Sequence, residues 1–210
     1  MAFDAAAFGL YLITDRKLVP EGSNLFAIVE QALAGGVRAV QLREKDLPAD
    51  ELFRYAVELR DLTARYGASL LINDRIDIAL AVVADGVHLG EHSLPTSVAR
   101  RLLGSEATIG RSTHRVEDIV QAAAEGADFV TFSPIYFTPS KALYGQPQGL
   151  APLRRACAAS RLPVLALGGI RQDRIRAVRA AGASGVALIS AVLTAADPEA
   201  ATRALLAEAF

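Results

Sequence analysis

The chain has 210 residues, of which 52% are hydrophobic and 21% charged, with a net charge of -1 and a pI near 6.3. This length predicts one domain spanning residues 1–210, and the balanced charge excludes a broad basic surface for nucleic acid or an anionic membrane. No apolar stretch reaches the roughly 20 residues of a membrane span. The start of the chain lacks a signal-peptide pattern, and the single cysteine, Cys157, cannot form an intrachain disulfide, so we expect a soluble, cytoplasmic protein.

Short apolar runs alternate with longer helical patterns along the chain, which is typical of repeated βα units around a parallel sheet. Helical patterns include Asn24–Ala34, Ala49–Tyr66, Val116–Glu125 and Gln172–Ala181. Eight units favour closure, so we predict an α/β fold of the (β/α)8 TIM-barrel class. The alternative, an open doubly wound sheet, usually has a glycine-rich first turn, which GLYLITDRK lacks. The predicted strands are Gly9–Thr14, Ala39–Arg43, Ser69–Asn73, Gly86–Leu89, Thr108–Ser112, Phe129–Phe132, Pro163–Leu167 and Gly185–Ile189.

Polar residues follow the second strand at the barrel end where TIM-barrel chemistry is concentrated. Strand alternation predicts that Gln41, Arg43 and Lys45 share one side, while Leu42 and Glu44 point away. A glutamine beside two cations suits a phosphate or diphosphate. The alternative is a solvated charge run with outward salt bridges.

The third strand ends in Asn73 and Asp74. A carboxylate at this position can hold a magnesium ion that bridges phosphate oxygens. Asp74 can equally cap the helix predicted to begin at Arg75, and the residues alone favour that interpretation.

Two later segments suggest further anion contacts. The Ser133–Gly149 loop carries Thr138, Ser140 and Lys141, and is either a binding loop or an ordinary surface loop. Strand seven ends in a glycine pair, and strand eight leads into a short predicted helix, a combination typical of phosphate sites in TIM barrels. The glycines alone could form a tight turn, and many chemistries share such a site. The residues of this second segment are Gly168, Gly169, Ile189 and Ser190.

The three histidines differ in their predicted positions. His88 lies within the fourth strand and is expected to line the barrel, and His92 falls in a surface turn. His114 follows the fifth strand and is the histidine best placed for proton transfer.

Several of these segments together resemble a known family, the thiamine phosphate synthases and the related TenI-type thiazole tautomerases. The similar segments are, in order, YLITD, QLREKD, LLINDRIDIALAVVADGVHLGE, IGRSTH, GADFVTFSPIYFTPSK, LALGGI and GVALISAV. The resemblance implies a (β/α)8 barrel and a reaction in which a thiazole phosphate displaces diphosphate from hydroxymethylpyrimidine diphosphate. It also implies small phosphorylated pyrimidine and thiazole partners, with a homo-oligomer as an alternative to a monomer.

Matched position by position, the resemblance implies roles for particular residues. Gln41, Arg43, Lys45, Asn73 and Lys141 would hold the diphosphate. Asp74 would bind Mg²⁺. Ser112, Thr138 and Ser140 would line the substrates, and Gly168, Gly169, Ile189 and Ser190 would receive the thiazole phosphate. The candidate catalytic residues are Arg43, Lys45, Lys141 and His114.

The sequence departs from both activities at single positions. Synthases resembling this chain carry a second acidic magnesium ligand where Ser93 stands here, and Glu91 is the displaced alternative. The Gly110–Ser112 and PSKALYG segments are more similar to TenI-type proteins, whereas Pro134 stands where some tautomerases have a histidine. We predict a synthase. The alternatives are a tautomerase with His114 as acid or base, and a non-catalytic regulatory protein that binds thiazole or thiamine phosphate.

Overall fold

A computed structural model of the chain describes residues 7–138 and 146–209. Eight parallel strands form a closed barrel in which each strand pairs with the next and β8 pairs with β1. The (β/α)8 prediction is confirmed, and the open doubly wound alternative is wrong. The strands are β1 (Leu10–Ile13), β2 (Ala39–Leu42), β3 (Ser69–Asn73), β4 (Gly86–Leu89), β5 (Thr108–Thr113), β6 (Phe129–Phe132), β7 (Val164–Leu167) and β8 (Gly185–Leu188).

Helices follow the strands and cover the outside of the barrel. α1 begins after Asn24, whose side-chain oxygen accepts from the Ala27 N–H at 2.8 Å, as an N-cap does. The last helix packs against α1 and α7 and so closes the helical layer. No helix within the described ranges is long and apolar enough to cross a bilayer. The helices are α1 (Leu25–Ala34), α2 (Ala49–Arg65), α3 (Ile76–Ala81), α4 (Thr96–Leu103), α5 (Val116–Ala124), α6 (Leu150–Ala159), α7 (Gln172–Ala180), α8 (Ser190–Leu193) and α9 (Pro198–Ala209).

Strand side chains alternate between the helical layer and the barrel interior. Residues such as Leu12 and Val40 face the helices and belong to the larger core. At the amino end of the interior, Phe8, Tyr11 and Phe129 pack with ring centroids 4.9–5.5 Å apart. Later positions on the same inward faces are polar, so the interior changes from aromatic to polar toward the carboxyl ends of the strands. These polar residues are Gln41, Asn73, His88, Ser112 and Thr131.

Two aspartates make matching contacts at the amino end of the barrel. The Asp128 carboxylate precedes β6 and accepts from the Ile109 N–H at 2.7 Å and from Arg100 at 2.6 Å. Asp85 precedes β4 and makes the same pair of contacts to β3 and α2. We expect these contacts to stabilise the fold and to take no part in chemistry, because the active sites of TIM barrels lie at the other end of the barrel.

Candidate active site

The cationic segment after β2 divides between the barrel interior and the loop. Gln41 is 1% exposed, and its Nε2 donates to the Tyr11 hydroxyl at 3.0 Å. β2 ends at Leu42, so strand alternation does not extend to Arg43 and Lys45, which lie in the loop beyond it. Arg43 is half-buried and Lys45 is exposed. Within the described residues, neither cation forms a salt bridge.

The acidic residues of this segment, Glu44 and Asp46, contact other cations. Arg43 and Lys45 therefore remain available to bind a ligand. Glu44 points away as predicted, but it is buried, and its carboxylate accepts from the Arg16 backbone N–H at 3.0 Å and from the Arg16 guanidinium at 3.3 Å. Asp46 forms the outward salt bridges, to Arg16 at 2.6 Å and to Lys17 at 2.9 Å. Hydrogen bonds from these two cations hold the pKa of the Asp46 carboxyl well below its usual range.

Asp74 joins the end of β3 to the turn after β4. Its Oδ1 accepts from the Gly90 N–H at 3.2 Å and from the Ser93 hydroxyl, and its Oδ2 accepts from Asn73 Nδ2 at 2.8 Å. Its φ of 61° lies in the left-handed region, which is uncommon for a residue other than glycine. Strain of this kind is found most often at functional positions.

The helix-cap interpretation of Asp74 is wrong. α3 begins at Ile76, its N-cap is Arg75, and no side chain caps it. The Asp74 carboxylate instead accepts hydrogen bonds at the barrel rim, from residues up to 19 positions away in sequence.

The Asp74 and Ser93 pair has the chemistry of a partial magnesium site. Mg²⁺ prefers oxygen ligands and is commonly held by one or two carboxylates together with substrate phosphates and water. One carboxylate and one hydroxyl are adjacent here. No group of three or more His, Cys, Asp or Glu side chains in the described part of the chain could hold a metal by itself. The residues fit an ion that takes most of its ligands from a diphosphate and water.

His88 and Ser112 connect the barrel interior to the site. His88 is 3% exposed, and its Nε2 lies 3.0 Å from Ser112 Oγ. Burial lowers the pKa of His88 to about 3, so the ring is neutral at physiological pH. The expected barrel-lining position is confirmed, as is the surface turn that holds the exposed His92.

His114 is oriented by the ends of β5 and β6. Its Nδ1 lies 2.8 Å from the Ser133 carbonyl oxygen, which can only accept, so Nδ1 carries a hydrogen and donates it to that carbonyl. Gln148 Nε2 donates to the His114 carbonyl at 2.9 Å and to the Ser133 carbonyl at 2.8 Å. Sequence analysis missed Gln148, since a glutamine in a loop carries no pattern that predicts contacts with two distant strand ends.

The loop after β6 is described only in part. Thr138 is half-buried at the edge of the described region. Ser140 and Lys141, predicted to contact substrate, lie outside the described residues. Phe137, next to Thr138, is 66% exposed.

The glycine pair after β7 allows the β6 loop to approach closely. Gly168 and Gly169 have φ values of +103° and +62°. A Cβ on Gly168 would lie 2.9 Å from Pro134 Cα, and one on Gly169 would lie 2.4 Å from the Phe137 carbonyl oxygen. Glycine is therefore needed at both positions for conformation and for space. The structure supports the tight-turn interpretation.

The short helix predicted after β8 is present as α8. It begins at the exposed Ser190, with Ile189 as its N-cap residue. Because β8 lies between β7 and β1, α8 begins at the same barrel rim as the glycine pair. A helix start and a glycine turn on adjacent strands are the usual elements of a phosphate site in this fold.

A cavity of about 370 Å³ lies beside β5 and α5. Its lining includes Arg111, Ser112 and His114 from the end of β5, residues of α5, and the carboxylates of Glu91, Asp118 and Glu125. Two of the predicted site residues, Ser112 and His114, therefore share one cavity.

The barrel and its rim define the class: a TIM-barrel protein whose carboxyl-end surface has the groups to bind small anionic molecules. The family described as thiamine monophosphate synthase (TMP-TENI) matches residues 10–192. The chain belongs to this family.

Individual relatives cover almost the whole chain. It is 58% identical over 200 residues to a putative thiamine-phosphate synthase of Geobacter sulfurreducens, covering 95% of this chain and 93% of the relative. It is 47% identical over 196 residues to thiamine-phosphate synthase of Moorella thermoacetica, covering 93% of each. The solved structure of thiamine phosphate pyrophosphorylase from Pyrococcus furiosus matches with a TM-score of 0.88 at 37% identity, covering 98% of this chain and 96% of that chain.

Proposed function

We propose that the protein is a thiamine phosphate synthase, a transferase of thiamine biosynthesis. It joins hydroxymethylpyrimidine diphosphate to thiazole phosphate and releases diphosphate. The observation that carries the proposal is that two regions with groups suited to anions lie at one barrel rim. Arg43 and Lys45 follow β2, and the Gly168–Gly169 turn and α8 follow β7 and β8. A reaction between two phosphorylated substrates needs two such regions that face a common space.

The proposed reaction forms one bond and breaks one bond. The thiazole ring nitrogen donates its electron pair to the methylene carbon of the pyrimidine. The bond from that carbon to the diphosphate oxygen breaks, and the diphosphate leaves with the bonding electrons. The electron-rich pyrimidine tolerates positive charge on the methylene, so the main task of the protein is to stabilise negative charge on the leaving group.

In this proposal the cations after β2 stabilise the departing diphosphate. Arg43 and Lys45 suit this role because the acidic residues between and beside them are occupied by other cations. We expect Gln41, Asn73 and Lys141 to complete the diphosphate contacts. Ser112, Thr138 and Ser140 would line the substrates. The thiazole phosphate would bind Gly168, Gly169, Ile189 and Ser190.

A magnesium ion is part of this proposal. Asp74 and Ser93 would hold it, together with oxygens of the diphosphate. When bound, Mg²⁺ neutralises charge that develops on the leaving group.

The direct test is formation of thiamine phosphate from the two substrates in the presence of Mg²⁺. We expect steady turnover by the unmodified protein and a loss of about 100-fold or more in Arg43→Ala and in Asp74→Ala, since each removes a charge that acts on the leaving group. Arg54→Ala is the matched control, because that arginine is 70% exposed on α2. Absence of product from the unmodified protein would contradict the proposal.

Tautomerisation of a thiazole carboxylate phosphate is the second candidate. It is favoured by one observation: His114 lines a cavity, and its contact with the Ser133 carbonyl fixes the orientation of its ring. Activity in a tautomerase assay that is lost in His114→Ala, with no thiamine phosphate formed, would support it. Tight binding of thiamine phosphate without either activity would indicate a regulatory binding protein.

A further inference from the structure

His88 is a buried, neutral ring directly beneath a residue expected to contact substrate. The rings of Tyr11 and Phe129 pack around it, with centroids 5.8 Å and 5.6 Å away. Its Nε2 lies 3.0 Å from Ser112 Oγ and 3.5 Å from Thr131 Oγ1. The ring therefore packs against two aromatic rings and contacts polar atoms at one nitrogen.

The other ring nitrogen, Nδ1, is buried. Among the residues that the structure describes, no polar atom accepts from Nδ1 or donates to it. A Cβ on Gly110 would lie 2.5 Å from Nδ1, so the backbone of β5 closes that side. A neutral histidine carries one N–H and one lone pair, so one of these two groups must remain unsatisfied at Nδ1.

The two neutral tautomers differ in energy at this position. With the hydrogen on Nδ1, a buried N–H would have no acceptor, which is rarer in proteins and costs more than a buried lone pair without a donor. With the hydrogen on Nε2, the N–H donates to Ser112 Oγ. The second tautomer is favoured, and in it Ser112 uses its oxygen to accept from His88.

The hydroxyl hydrogen of Ser112 is then not used in the bond with His88 and can be donated to another acceptor. Ser112 is half-buried, and its side chain lies on the inward face of β5 beside His88. Within the described residues, His88 is the hydrogen-bond partner of that side chain. Charges of both signs act on the His88 ring, from the Asp74 carboxylate and from the Arg43 and Arg111 guanidinium groups. The family resemblance implies that Ser112 lines the substrates, so a substrate oxygen is the expected acceptor of its hydroxyl hydrogen.

We infer that His88 is a positioning residue that holds the Ser112 hydroxyl as a hydrogen-bond donor at the carboxyl end of the barrel interior, directed at an anionic oxygen of the diphosphate substrate. This inference rests on the proposed function for the identity of that substrate. The role of Ser112 as donor, and of His88 behind it, depends on the contacts in the barrel alone.

The tautomer can be read directly in the unliganded protein. Long-range ¹H–¹⁵N NMR correlations of the histidine rings distinguish Nε2–H from Nδ1–H, and the three histidines can be assigned with His92→Gln and His114→Gln. We expect His88 to be neutral and protonated on Nε2 at pH 7. Protonation on Nδ1 would overturn the inference, because Ser112 would then donate to His88.

The second test is a double-mutant cycle on binding of inorganic diphosphate in magnesium-containing buffer. Ser112→Ala and His88→Leu should each weaken binding by roughly 10-fold or more, as expected for one lost hydrogen bond to a charged group. The double variant should be no weaker than Ser112→Ala. His88→Gln keeps an amide donor and should restore most of the affinity. Additive losses in the cycle would overturn the inference.

The matched control is Thr113→Val. Thr113 is equally buried on the same strand, but its Oγ1 donates to the Thr131 carbonyl on the helix-facing side, so diphosphate binding should not change. If His88→Leu does not fold, the NMR result on the unmodified protein still decides the question. If no thiamine phosphate forms but the double-mutant cycle on diphosphate binding is non-additive, the proposed function is overturned and the role of His88 stands.

Discussion

The hydroxyl of Ser93 donates a hydrogen bond to Oδ1 of Asp74. The serine therefore occupies the position where the family resemblance implies a second acidic ligand, and it contacts the first. The Gly90 N–H donates to both side chains, at 2.6 Å to Ser93 Oγ and at 3.2 Å to Asp74 Oδ1. Because Ser93 is neutral, it can contact Asp74 closely. Two carboxylates at the same positions would repel each other.

Replacing Ser93 by aspartate should strengthen magnesium binding. A second carboxylate adds charge toward a divalent cation, so we expect the Mg²⁺ concentration for half-maximal thiamine phosphate formation to fall by about 10-fold. Ser93→Asn adds similar volume without charge and serves as the control. An unchanged magnesium requirement in Ser93→Asp would show that this pair does not hold the ion.

Removing the Gln148 amide should destabilise the barrel rim. Gln148→Met keeps most of the side-chain volume but removes one hydrogen bond from the His114 carbonyl and one from the Ser133 carbonyl. We therefore expect the free energy of unfolding to fall by about 1–3 kcal/mol. Urea denaturation measures this change. Gln146→Met is the matched control, because Gln146 is exposed two residues earlier. Equal stability of the two variants would contradict the prediction.

The ion pair at the amino end of the barrel should contribute to stability and not to turnover. Asp128→Ala leaves the Ile109 N–H without its acceptor and removes the carboxylate partner of Arg100, whose guanidinium keeps only its backbone carbonyl acceptors. We expect the free energy of unfolding to fall by about 1–3 kcal/mol, with kcat unchanged at a temperature where the variant is folded. Thermal unfolding and the synthase assay test both parts. The exposed Asp61→Ala should change neither quantity. A specific loss of kcat in Asp128→Ala would disagree with a structural role.

Stability should fall as pH falls below about 6.5, because of His88. Burial lowers the folded-state pKa of His88 to about 3, whereas an unfolded histidine has a pKa near 6.5, so only the unfolded state takes up this proton in the interval. The expected loss between pH 7.5 and pH 5.5 is about 1.4 kcal/mol.

Urea denaturation at the two pH values measures that loss. His88→Gln should lack this increment while it keeps the pH dependence of every other group. The same pH dependence in both proteins would mean that His88 takes up its proton equally in the folded and unfolded states.

The fold was largely predictable because its signals are local. Each predicted strand is present with ends that differ by no more than one residue, since apolar runs, glycine turns and helix caps act over a few positions. The rim location of Arg43, Asp74 and Ser112 was predictable for the same reason: each of them lies at or just beyond the end of a strand.

The contacts within the site required the folded chain. Nothing near Asp74 in sequence distinguishes a helix cap from a bond to Ser93, and only the pairing of β3 with β4 brings the turn after β4 to the end of β3. Glu44 was predicted to point away from Gln41, but the sequence did not predict that its carboxylate is buried and accepts from Arg16, 28 residues away.

The sequence by itself determined that eight βα units close into a barrel and that cations, a carboxylate and a glycine pair follow its strands. The tertiary structure alone decided which of these groups remain available to a ligand. It also paired His88 with Ser112 and joined Gln148 to His114. Those contacts link residues 24 and 34 positions apart, and their geometry is set by the pairing of neighbouring strands and by the loops after them, which no local pattern encodes.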